Sequence, residues 1–147
     1  MDEKKIEGLY LSVLNQIEKK MGKRGTTYMD ELLKMGRSMF PNNFKGVYSA
    51  DEIPDIQEGD YVIANLDKHN QAGSHWIGIT RIGNRYYYYD SFGRRINKIM
   101  PGLSGRGKVI GDTKDKEQRV DETNCGQRCL SWLWILHNYG IKEALLI

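Results

Sequence analysis

The feature that most constrains this chain is the stretch 125–139, where a helical pattern carries Leu130, Leu133, Trp134 and Ile135 on a wide apolar face. A helix with so broad an apolar surface is satisfied only when other elements cover it on several sides, so it is expected to sit centrally with the remaining chain packed around it. Gly140 is its stop. The chain has 147 residues, of which 39% are hydrophobic and 28% charged. That is enough for one such core, and a single domain spanning 1–147 is expected.

The cover is readable on both sides of the sequence. Residues 2–21 place Ile6, Leu9, Tyr10, Val13, Leu14 and Ile17 at three- and four-residue spacing, which predicts an amphipathic helix ended by Gly22. A second helix is predicted over 28–35, capped through Thr27 with Asp30 or Glu31 and stopped by Gly36. Residues 41–59 carry turn formers and read as loop. Strands are predicted over 61–66, 76–82 and 85–90, the last two joined by a two-residue Gly83-Asn84 turn. The polar residues 67–74 form the loop entering the second of these strands. Four successive tyrosines, Tyr86 to Tyr89, suit a strand with one face in the core and one partly wet. Residues 91–107 connect to further short strands at 108–110 and 117–119. The fold class is therefore α+β, with a central buried helix packed on a small mixed or antiparallel sheet and a helical N-terminal part.

Several roles are disfavoured. The formal charge is +3, mild enough to permit weak attraction to nucleic acid without demanding it. No apolar run approaches the ~18 residues of a membrane span, and the charged start, Asp2-Glu3-Lys4-Lys5, lacks a signal-peptide core. The two cysteines, Cys125 and Cys129, stand one helical turn apart, and no second Cys or His cluster has ligand spacing. Neither a metal site nor a disulfide framework is expected, which leaves reactivity or burial for the two thiols.

The polar residues at element boundaries suggest the chemistry. A thiol hydrolase needs a thiolate, an imidazole, a group that orients it and donors for the oxyanion. Cys125 opens the last helix, where free N–H groups and the helix dipole favour a thiolate. His75 lies where a loop enters a strand and Asp90 where the partner strand ends, so the tight hairpin brings them to the same end of neighbouring strands. Gly126 would let a substrate carbonyl approach the backbone. Gln118, seven residues before Cys125, would offer a side-chain N–H beside the Cys125 backbone N–H. Taken singly, each residue has an ordinary structural reading. Cys129 is assigned to the core, and His69 and His137 to structural or surface positions.

The joint pattern His75-Trp76, Tyr89-Asp90-Ser91-Phe92-Gly93, Gln118 and Asn124-Cys125-Gly126-Gln127 resembles the adenovirus-type and SUMO-protease-like cysteine peptidases. The order His, acid, Gln, Cys along the chain is shared with that clan; papain-like enzymes place Cys first. The resemblance covers roughly residues 60–139. It implies the papain-like clan fold of the adenain type, with Cys125 as nucleophile, His75 as general base, Asp90 as orienting acid, Gln118 as oxyanion donor and Trp76 as a wall of the substrate site. The Gln118 spacing favours the maturation-protease branch, while SUMO-type enzymes usually carry Asp where this chain has Asn124. The acid Asp90, in contrast, is that of SUMO-type enzymes.

The implied activity is cleavage of viral capsid or core precursors after small, Gly-rich motifs, in the host cytoplasm or nucleus and in the virion, by a monomer. No cofactor is expected. DNA or a peptide remains open as an activator, although both thiols are committed and a disulfide-linked peptide is disfavoured. The basic residues Arg94, Arg95, Lys98, Arg106 and Lys108 could touch phosphates but read first as a solvated loop. Competing readings are a deconjugating protease for a ubiquitin-like modifier, an acyltransferase with the same triad, and a basic DNA-binding virion protein without catalysis.

Overall fold

The computed structural model describes residues 2–65, 75–93 and 123–147, together with the strand backbone at 108–111. Helix α1 (Glu3–Met21) begins where the Asp2 carboxylate accepts the Lys5 N–H at 2.8 Å. It ends at Gly22, whose φ of 74° lets its N–H turn back onto the Lys19 carbonyl. Ile6, Tyr10, Val13, Leu14 and Ile17 form its buried stripe, as the spacing predicted.

Helix α2 (Met29–Met39) runs past the expected stop at Gly36. The glycine serves packing. A Cβ on it would lie 2.5 Å from the ring of Phe44, so the absent side chain is what lets the first strand press against the helix. The cap also differs from expectation. Tyr28 occupies the N-cap position, and the Glu31 carboxylate accepts the Tyr28 N–H at 2.9 Å. Thr27 is instead buried, facing Gly126.

The segment 41–59, expected as loop, contains strand β1 (Phe44–Ser49). Next come β2 (Tyr61–Asn65), β3 (Trp76–Ile82), β4 (Arg85–Tyr89) and β5 (Lys108–Gly111). The strands lie side by side in chain order, as one five-stranded sheet. β1 and β2 pair parallel, β2–β3 and β3–β4 antiparallel, and β4–β5 parallel, so the sheet is mixed. Gly83, at φ 60°, supplies the positive dihedral that the tight β3–β4 turn needs. A register shift between Phe44 and Gly46 lets Phe44 and Val47, three residues apart, both join the same core.

Strand periodicity sorts the side chains into two cores. Tyr61, Ile63, Trp76, Tyr87 and Tyr89 pack with α1, α2 and helix α3 (Cys125–Tyr139). Val62, Ala64, Ile77, Ile79, Tyr86 and Tyr88 pack on the other face with Ile53 and Ile56. Both tyrosine faces are therefore buried, Tyr86 to 5% and Tyr88 to 6% exposure, against the expectation of one wet face. Ile53 and Ile56, in the segment read as plain loop, supply part of that cover.

Helix α3 is buried along most of its length, and Trp132 and Leu133 are fully enclosed. Each such side chain contributes ~1.5–3 kcal/mol by leaving water. Gly78 of β3 lies beneath it, with Trp132 at 3.5 Å and Cys129 at 3.8 Å from the place a Cβ would occupy. The Ser131 hydroxyl donates to the Tyr10 carbonyl at 2.7 Å, joining α3 to α1. A short helix α4 (Ile141–Ala144) follows Gly140, and the Ala144 carbonyl accepts the Trp132 indole N–H at 3.1 Å.

Candidate active site

The hairpin register sets the geometry of the site. His75 immediately precedes β3 and Asp90 immediately follows β4, so both fall at the same end of an antiparallel pair. The His75 Nε2–H donates to Asp90 Oδ1 at 2.6 Å. Both residues are enclosed, His75 3% exposed and Asp90 fully buried. A buried carboxylate is costly unless paired, and here the imidazole and the Phe92 N–H, at 2.9 Å, both reach Oδ1.

Cys125 arrives from the other side of the core, at the first residue of α3. Its Sγ accepts the Trp76 N–H at 3.4 Å, which places the sulfur beside the residue that follows His75. With Nε2 engaged by Asp90, Nδ1 is the imidazole nitrogen left over; it is buried and has no hydrogen-bond partner among the described residues. Burial is the largest influence on the imidazole and pulls its pKa down. The hydrogen bond to Asp90, the nearby Cys125 thiol and the charges of both groups oppose this and prevail, so the His75 pKa lies above the usual 6.5. Asp90 and Cys125 thus both act on one ring.

The two cysteines differ in access. Cys125 keeps 6% of its surface and Cys129 none, the latter sealed against β3 in the core. Trp76 is 7% exposed, and its indole N–H donates to the Thr27 carbonyl at 3.2 Å. Gly126 is enclosed by the start of α2: a Cβ there would meet Thr27 Oγ1 at 2.1 Å and Leu32 at 2.9 Å. Packing is sufficient reason for this glycine, whatever its backbone offers a substrate.

Gln118 lies outside the described residues, as do His69, the strand expected at 117–119 and the basic residues Arg94, Arg95, Lys98 and Arg106. Lys108 opens β5, of which only the backbone is described. His137 is at the far end of α3, where its Nδ1 meets the Tyr61 hydroxyl at 3.0 Å and its ring packs edge-on against Phe40 and Tyr61.

Three contributors to the site carried no assigned role in the sequence. Phe92 stacks on His75 with ring centroids 4.6 Å apart and planes 30° from parallel. Gln127, fully buried, donates its amide to the carbonyls of Gly25 at 2.8 Å and Lys23 at 3.4 Å, holding the connection between α1 and α2 against the start of α3. Arg128, also buried, donates to Asn124 Oδ1 at 3.0 Å and to the Tyr10 hydroxyl at 3.2 Å, tying the residue before Cys125 to α1. Only Phe92 left a usable signal: it lies two residues beyond Asp90, in the turn that follows β4.

Among the described residues no group of three or more His, Cys, Asp or Glu side chains is placed to hold a metal ion. No described helix is long and apolar enough to cross a membrane. A groove of about 340 Å³ between α1 and α2, lined by Lys20, Met21, Glu31, Lys34, Met35 and Ser38, contains neither a thiol nor an imidazole and is not where this chemistry sits. No protein-family model matches the chain, and no curated protein matches it either.

Proposed function

We propose that this chain is a cysteine-type endopeptidase with Cys125 as nucleophile, His75 as acid–base group and Asp90 as its orienting carboxylate. The observation that carries the reading is a single convergence. An imidazole is held at 2.6 Å by a buried carboxylate through Nε2, its Nδ1 has no hydrogen-bond partner among the described residues, and the Cys125 sulfur sits against the next backbone N–H at 3.4 Å. These groups come from three separated parts of the chain.

In the proposed reaction the Cys125 sulfur attacks the peptide carbonyl carbon as a thiolate, its proton resting on His75. The tetrahedral oxyanion is met by the Cys125 backbone N–H, with Gln118 the second donor that the clan resemblance implies. The imidazolium then protonates the departing amine as the C–N bond breaks, leaving a thioester. Water, deprotonated by His75, attacks the thioester, releases the carboxylic acid and restores the thiol. Asp90 holds the ring in the tautomer that directs Nδ1 toward sulfur and stabilises the imidazolium.

The clan reading rests on the order His75, Asp90, Gln118, Cys125 and on the placement of the nucleophile at the mouth of a buried helix packed on a mixed sheet. Within that reading the substrates are viral capsid or core precursors cut after small, Gly-rich motifs. Glycine suits the narrow, aromatic-walled clefts of that clan, because a chain without a Cβ can thread where others clash.

The test is direct. Purified protein is incubated with Gly-rich peptides, candidate precursors and modifier conjugates, and new termini are mapped by mass spectrometry. Cleavage of precursors that disappears in Cys125→Ala supports the proposal. Cleavage surviving in Cys125→Ala, or cleavage of modifier conjugates alone, overturns it.

A further inference from the structure

Phe92 stands at an unusual place relative to the buried pair. Its ring lies over the His75 imidazole, centroids 4.6 Å apart and planes 30° from parallel. Its backbone N–H meets Asp90 Oδ1 at 2.9 Å, the same oxygen that receives His75 Nε2 at 2.6 Å. One residue therefore touches both members of the dyad, the base through its ring and the acid through its backbone.

The local chain explains how it is held there. The Gly93 N–H donates back to the Asp90 carbonyl at 2.9 Å, closing a turn over 90–93, and Gly93 has a φ of 72°, which a glycine adopts without strain. The last paired residues of the hairpin are Gly78 and Tyr89, so this turn begins directly where the ladder ends. The turn carries the ring back over the imidazole.

We propose that Phe92 is a positioning residue of the site: its ring fixes the plane of the His75 imidazole and shields the His75–Asp90 hydrogen bond from water, while its N–H fixes the carboxylate oxygen that the imidazole uses. An imidazole bonded through one nitrogen can still rotate about that bond and swing Nδ1 off the thiol. A stacked ring removes that freedom, and excluding water strengthens the hydrogen bond it covers. The aromatic face is the working part, because a side chain of similar bulk without a plane cannot hold the ring's tilt.

The catalytic half of this inference rests on the endopeptidase reading, so the experiment has two arms. In the first, nitrogen-15 NMR follows the Nε2–H proton of His75 in the full chain and its exchange with solvent. Phe92→Ala and Phe92→Leu are each expected to speed that exchange at least about tenfold, with the melting temperature followed alongside, and Phe92→Tyr or Phe92→Trp to keep it slow. In the second, kcat falls about tenfold in Phe92→Ala and Phe92→Leu with KM within about twofold, and the aromatic variants recover most of it. Unchanged exchange in Phe92→Ala, or a leucine variant equal to the parent, overturns the brace. Fast exchange with parental kcat overturns its service to catalysis. A parent chain that cleaves nothing overturns the endopeptidase reading, while the NMR arm still decides whether the brace exists.

Discussion

At the N-terminal end of α3 a histidine is enclosed, bonded to a carboxylate and adjacent to a thiol; at the C-terminal end another histidine is exposed, bonded to a phenol and packed against two aromatic rings. His75 lies beside one end of the helix and His137 belongs to the other, and their surroundings differ. A neutral hydroxyl partner such as Tyr61 adds a hydrogen bond and packing. A buried carboxylate such as Asp90 fixes which nitrogen carries the proton and stabilises the charged ring. The difference lies in the partner and its burial rather than in the residue type, which is why a histidine count says so little about function.

The largest expected separation between the two ends is catalytic. Cys125→Ala and His75→Ala should each reduce peptide cleavage by about three orders of magnitude or more, as loss of a nucleophile or its base does. His137→Ala should leave kcat/KM within about twofold of the parent. Equal losses at both histidines would erase the distinction. Cys129→Ala sharpens it: one turn from Cys125 but sealed in the core, it should cost stability without abolishing turnover.

Asp90→Asn comes next. It keeps the shape but removes the charge, and activity should fall about tenfold to a hundredfold. Removing one partner of a buried charged pair outright, as in Asp90→Ala, should also destabilise the fold by about 3 kcal/mol, measured by denaturant unfolding.

The pH dependence follows from the direction of the His75 shift. Because its native pKa is raised above 6.5, the folded protein holds that proton more tightly than the unfolded chain. The stability so contributed is full below about pH 6.5 and is lost as pH climbs through the native value. The alkaline limb of the kcat/KM profile should accordingly lie above pH 6.5 and move to lower pH in Asp90→Asn. A limb unmoved by that substitution would detach the carboxylate from the base.

The smallest expected effect concerns Gly126. Gly126→Ala would drive a methyl group into Thr27 Oγ1 and Leu32, and overpacking of this kind costs ~1–3 kcal/mol. Thr27→Ala in the same chain should recover part of that loss; no recovery would mean the glycine is kept for another reason.

Much of the architecture was legible because it depends on local periodicity. The bounds of β3 and α3 follow from alternation and from apolar spacing, and the approach of His75 to Asp90 follows from a two-residue turn. β1 was hidden because Pro41, Asn42, Asn43, Gly46 and Gly59 give its surroundings a turn-like composition, and its pairing is with β2, after an intervening crossover. The end of α2 was misread because Gly36 has the composition of a stop and the function of a contact, a difference visible only once Phe44 is in place. Gln127 and the Arg128–Tyr10 contact could not be assigned from sequence, since those partners lie about a hundred residues away.

The connection between α1 and α2 has an outcome beyond packing. It is a short, polar, largely exposed turn of the kind at which chains ordinarily accept insertions, yet Gln127 grips its Lys23 and Gly25 carbonyls and Trp76 its Thr27 carbonyl. A single added residue there would break the spacing of these three anchors and slacken the frame around Cys125. This surface turn should therefore tolerate length changes as poorly as the core itself.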